Sequence, residues 1–214
     1  MDYNKSIRYF VKLQSQSKFQ KDLVERGLLY MNCAIFYRYN YRGEKNADPN
    51  EAEIFQGFGA IVDGYKPMYC LYSVMEQDIT KGNKICLSKS FVKDFVNKET
   101  NKVYVTIIDA DKFERDFVSY CEKNNKVYAY ALVAYGRYNN EMKRLIARER
   151  LNVSLFTKRT RFKEQKEFRF VIYENVSLDE NNLPKAFEIE LGNITNYTKT
   201  LEVDFYDDDI ILQL

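Results

Sequence analysis

Two stretches alternate apolar and polar residues with a period of two, and they restrict the fold more than any other feature of the chain. IRYFVKL, residues 7–13, puts Ile7, Tyr9, Val11 and Leu13 on one face and Arg8 and Lys12 on the other; KVYVTIID, residues 102–109, alternates in the same way. Successive side chains of a strand point to opposite faces, so each stretch reads as a strand lying against a core. Further strands are expected at 28–32, 57–63, 67–74, 84–88, 127–135, 166–173, 186–191, 200–205 and 209–213. Helices are fewer. Ser17 stands three residues before Gln20, a capping-box spacing, and Phe19, Leu23 and Val24 form the stripe of a short helix that Gly27 can close in the left-handed conformation. KSFVKDFVNK, 89–98, reads as a second helix. Asp111 and Glu114 open a third, with Phe113, Phe117 and Cys121 on one face, and residues 140–150 fit a fourth. Strands outnumber helices and are not regularly separated by them, which predicts an α+β chain: a single domain on a curved mixed or antiparallel sheet with a few short helices.

The 214 residues are 45% hydrophobic and 15% aromatic, enough for one substantial core, and 8 Gly with 3 Pro leave little material for a linker. Residues 37–56 or so read as a long polar loop, a length at which loops are often functional. No stretch is apolar enough to span a bilayer and the N-terminus lacks an apolar leader, so a cytoplasmic protein is expected. Cys33, Cys70, Cys86 and Cys121 are widely spaced without a CxxC pair, and read as reduced, buried thiols rather than zinc ligands. Histidine is absent. That removes every Ser-His or Cys-His relay, the HExxH zinc site and imidazole base catalysis. The glycines of GFGAIVDG match neither the P-loop nor the dinucleotide fingerprint.

The net charge of +2 hides an uneven distribution. From Arg137 to Arg169 there are eleven basic and four acidic residues; from Phe170 onward there are ten acidic residues and two lysines. The segment 137–169 therefore points to an anionic ligand or nucleic acid, unless the acidic half neutralises it within the fold. At its end, FKEQKEFRFVIYEN, residues 162–175, enters a strand in which Phe168, Phe170 and Ile172 face the core while Glu167, Arg169 and Tyr173 share the other side. In a strand extended that far Glu164 would fall on the opposite face from Glu167, which makes the two poor candidates for the close carboxylate pair of a glycosidase. On an open face Glu167 and Arg169 would make a weak diagonal ion pair.

The succession IRYFVKL, GLLYMN, FYRYNYRG with a downstream DPNEAE, PMYCLYS, and KEQKEFRF followed by ELGNIT resembles a family of uncharacterised bacterial proteins, often prophage-borne, whose layout is similar to the ADP-ribosyltransferase fold. The resemblance implies transfer of ADP-ribose from NAD to an acceptor, in a setting of phage–host conflict. It implies Glu167 as the catalytic carboxylate, Arg8 on a phosphate or ribose, Tyr30 stacked on nicotinamide, and Arg38 or Arg42 at the entrance. Two other readings stay open. Glu164-Gln165-Lys166 spells ExK, so with Asp109 it fits a Mg²⁺-dependent nuclease of the PD-(D/E)xK kind. The tyrosines and phenylalanines interleaved with arginine fit nucleic-acid binding without catalysis. DFYDDDI lacks calcium-loop spacing and reads as a solvated turn before the last strand.

Overall fold

The computed structural model describes residues 7–36, 64–136 and 153–214. The expected strand 57–63, the polar loop, and the helix at 140–150 lie outside them. The chain is α+β, with a mostly antiparallel open sheet and few helices, and it divides into two compact units. The first unit comprises residues 1–29, 71–122 and 189–214; the second comprises 30–70 and 123–188.

In the first unit β1 (Ile7–Gln14) pairs antiparallel with β5 (Lys102–Asp109), Phe10 opposite Ile108, and with the second half of β3 (Pro67–Met75). A bulge between Ile7 and Tyr9 offsets the alternation of β1. Both faces of β1 carry buried residues, Val11 and Leu13 on one and Phe10 on the other, while Arg8 near its start is exposed. Val11 and Leu13 join Val103, Val105 and Ile107 in one core, roofed by Ile85 and Leu87 of β4 (Lys84–Leu87) and Ile210 and Leu212 of β12 (Ile210–Gln213). Phe10, on the side of Arg8 and Lys12, is fully buried and meets Phe113 edge-on at 6.1 Å. β11 (Thr198–Asp204) lies on the other side of β5.

Helix α1 (Ser17–Arg26) buries Leu23 and Val24 and ends at Gly27 with φ 61°, the expected left-handed cap. The capping box does not form: Gln20 instead donates its Nε2–H to the carbonyls of Val105, at 2.8 Å, and Leu201, at 3.3 Å. The second helical segment is a single turn, α2 (Lys89–Val92), followed by a 3₁₀ turn. Helix α3 (Ala110–Lys123) buries Phe113, Phe117 and Cys121 at i, i+4 and i+8 as the pattern requires. Its cap is Asp109, whose Oδ1 accepts the Lys112 N–H at 3.0 Å, rather than Asp111. Cys33 and Cys121 are buried, Cys70 is half-buried and Cys86 is exposed, which corrects the expectation of four interior thiols; none of the four is in a disulfide.

In the second unit Asn32 of β2 (Leu28–Cys33) stands opposite Met68 in the first half of β3. β6 (Tyr128–Leu132) pairs antiparallel with β9 (Glu167–Ile172), which also joins β3. On one face Tyr130 packs against Phe168 and Phe170. On the other, Ala129 and Ala131 leave room for Met68, Leu155, Phe156 and Val171. The strand expected at 127–135 breaks at Val133, whose N–H still reaches the Glu167 carbonyl. Beyond it, β7 (Ala134–Tyr135) turns to pair in parallel with β8 (Thr157–Lys158). β10 (Phe187–Glu190) completes the strand order β10-β2-β3-β1-β5-β11.

Candidate functional site

The segment from Thr157 to Arg169 folds back on itself. β8 places Lys158 inward, a 3₁₀ turn over Thr160–Gln165 follows, and Lys166 closes that turn with φ 38° before Glu167 starts β9. A lysine in the left-handed region costs about 1–2 kcal/mol, and here that conformation joins the turn to the strand. The reversal brings Lys158 against Glu167. The Glu167 Oε1 accepts from Lys158 Nζ at 2.6 Å; Oε2 accepts from Arg169 Nε at 2.9 Å and Nη2 at 2.7 Å. Arg169 Nη1 donates to the Leu155 carbonyl at 2.7 Å and faces Met68 Sδ. Lys158 Nζ also donates to Gln165 Oε1 at 2.7 Å, and the Glu167 N–H donates to the Tyr135 hydroxyl at 2.8 Å.

This is an interior ion cluster, not the solvated diagonal pair that the alternation of β9 suggests. The side chains of Arg169, Lys158 and Glu167 are 1%, 5% and 13% exposed. Glu167 and Arg169 do share a face of β9, but Leu155 and Met68 also stand over it, so both sides of the strand are covered. Burial alone would push the Glu167 carboxyl up; the charges of Arg169 and Lys158, with their hydrogen bonds, outweigh it and hold the group at about 2. Burial, and next the charge of Glu167, push the Tyr135 phenol up, so it stays protonated.

A pH dependence follows, with two limbs. A depressed carboxyl contributes stability above its unfolded value of about 4.3, and that contribution, about 3 kcal/mol, is lost as pH falls toward 2. Glu114 runs the other way: burial, and then Asp111, raise it to about 7. Its contribution is complete below its unfolded value and is lost as pH rises through about 7. Thermal midpoints measured from pH 2 to 8 should therefore peak between 4 and 6, and Glu114→Gln should flatten the neutral limb alone. A midpoint rising steadily to pH 8 would contradict the assignment.

The other residues singled out in the sequence are scattered. Arg8, in the first unit, is exposed and pairs with Glu76 at 3.2 Å. Tyr30 on β2 is 55% exposed, so it is not a core ring. Arg38 and Arg42 lie outside the described residues. Asp109 caps a helix in the first unit, while Glu164 in the second is 61% exposed beside Lys163. Among the described residues, no group of three or more Asp, Glu, Cys or His is placed to hold a metal ion. The basic segment is not one surface either. Arg159, Arg161 and Lys163 are exposed, Lys158 and Arg169 are inside, and 137–152 lie outside the described residues. Arg161 and Lys158 stand over the buried Phe162 ring, at 4.6 and 5.1 Å from its centroid.

Lys158, Tyr135 and Gln165 were not distinguishable as site residues in the sequence. The weak signal for Lys158 was a lysine following the apolar Leu155-Phe156; for Tyr135 and Gln165 there was none. Among the described residues no helix is long and apolar enough to cross a membrane. Comparison of the chain with protein-family models, curated proteins and solved structures finds no match.

Proposed function

We propose that the chain is an ADP-ribosyltransferase-like protein that takes NAD, with Glu167 as the carboxylate at the reacting ribose. The observation that supports this reading is the state of that carboxylate. It is held ionised and fixed in place, and it accepts three hydrogen bonds, two of them on Oε2 and one on Oε1. A carboxylate offers about four acceptor positions, so Oε1 keeps one for a ligand hydroxyl. Cleavage of the nicotinamide–ribose bond builds positive charge on the sugar, and a carboxylate hydrogen-bonded to a ribose hydroxyl stabilises and orients it. Lys158 and Arg169 offset part of that field, so orientation is the larger share of what Glu167 supplies. The exposed Arg161 and Lys163 are cations for the pyrophosphate. A role in phage–host conflict, on an unidentified acceptor, accompanies this reading from the resemblance.

A second reading, nucleic-acid binding without catalysis, is favoured by one arrangement: Arg161 over the buried Phe162 ring with Lys163 two residues on, both cations exposed on the same turn. Labelled NAD incubated with the protein and total cell lysate separates the two. Label on a macromolecule, or release of nicotinamide, is expected, and Glu167→Gln molecules that remain folded should lose about a hundredfold in rate. If wild-type protein moves no label and frees no nicotinamide, transferase action is ruled out. An oligonucleotide complex that weakens steeply with salt would then establish the second reading.

A further inference from the structure

We infer that Tyr135 and Gln165 are specificity-determining residues that read the hydroxyl groups of a sugar. The inference rests on the reading of Glu167 as a ligand-contacting carboxylate. It starts from what each side chain has left to offer once its partners are assigned.

Tyr135 lies opposite Lys158 in the parallel β7–β8 pair, and the 3₁₀ turn carrying Gln165 packs against β7. The Tyr135 oxygen accepts the Glu167 N–H, and the phenol stays protonated, so its own O–H remains a donor. In Gln165, the ammonium of Lys158 can face only the amide oxygen, at 2.7 Å. The amide NH₂ is thereby turned away from Lys158, and among the described residues neither of its hydrogens has an acceptor. Lys158 spans Gln165 Oε1 and Glu167 Oε1, so one ammonium fixes both groups. Tyr135 and Gln165 are half-buried, within reach of solvent.

The cluster therefore presents one charged acceptor and neutral donors side by side. A phosphate oxygen only accepts, and at Glu167 it would meet a carboxylate that repels it. An apolar ring would leave the donors and the acceptor unpaired, at a cost for each. A hydroxyl both donates and accepts. Neighbouring hydroxyls of a ribose can give one hydrogen to Glu167 Oε1 and take hydrogens from Tyr135 and Gln165. The phosphates of the same ligand then belong at Arg161 and Lys163, not at the cluster.

The test measures binding of NAD and of an NAD analogue lacking both hydroxyls on the nicotinamide-side ribose. Wild-type protein should prefer NAD at least about tenfold, since a site built to pair a hydroxyl rejects the analogue without it. Tyr135→Phe and Gln165→Ala should each bring that ratio down toward unity while the thermal midpoint confirms a folded protein. Tyr135→Phe also removes the acceptor for the Glu167 N–H, so the Gln165 variant keeps the test decisive if the first proves unstable. Equal binding of NAD and its analogue by wild-type protein, or an unchanged ratio in both variants, overturns the assignment while leaving NAD as ligand. No NAD binding at all overturns the parent reading, and this one with it.

Discussion

Replacing Glu167 by alanine is expected to lower stability by about 3–5 kcal/mol, a large share of the roughly 5–15 kcal/mol that holds an ordinary domain together. The reason is what remains behind. Lys158 and Arg169 are almost wholly out of water, and the carboxylate that accepts from both is the counter-charge linking them. Removing one ion leaves two buried cations without that partner, and such breakage costs far more than the intact cluster contributes. Apolar substitution of all three, Lys158→Met with Glu167→Leu and Arg169→Met, should recover at least half of the loss, because burying three nonpolar side chains incurs no ion desolvation. Denaturant unfolding of the single and triple variants measures both. A single variant within about 0.5 kcal/mol of wild type, the usual range for surface changes, would mean that the cluster is solvated. The result also bears on activity: a Glu167 variant must be shown to be folded before a lost rate is assigned to chemistry.

Gly27→Ala should cost about 3 kcal/mol, from two separate sources. The left-handed φ of 61° carries about 1–2 kcal/mol for any residue with a Cβ. The new carbon would also sit inside contact distance of the Gly192 carbonyl oxygen and 2.9 Å from Leu191 Cβ. The Gly192 oxygen is backbone and cannot swing aside. Its segment is tied down by the Leu191 N–H on the Gly27 carbonyl, the Gly192 N–H on Arg26 and the Ile194 N–H on Val24. Relief means breaking some of these. Gly82, also at positive φ, has open space around it, so Gly82→Ala should cost only the conformational part. Thermal melts of the two variants compare directly, and equal losses would remove the clash from the account.

Local pattern was legible where one strand or helix decides its own geometry. β5 runs from Lys102 to Asp109 as its alternation indicates, and Gly27 caps α1. What failed were inferences that needed a partner distant in sequence. The spacing of Ser17 and Gln20 is that of a capping box, yet Gln20 is drawn to strand carbonyls because those acceptors at Val105 and Leu201 come within its reach. Arg169 between two phenylalanines reads as the polar side of a strand. It is interior because Met68 and Leu155 arrive over it from other segments, and because a lysine eleven positions earlier helps to hold its carboxylate partner. Charge in a linear pattern says how a side chain would behave in water. It does not say whether water will be there.

The first unit draws on three separated stretches of chain, and β11 and β12 come from the last of them. During translation β1, β4 and β5 leave the ribosome well before β11 and β12 do. Until those arrive, Val103 and Val105, Ile85 and Leu87 lack the neighbours that Leu201, Val203, Phe205, Ile210 and Leu212 later supply. A nascent chain paused in that interval presents an apolar sheet and an unpaired strand edge, a natural client for a chaperone that holds extended hydrophobic segments.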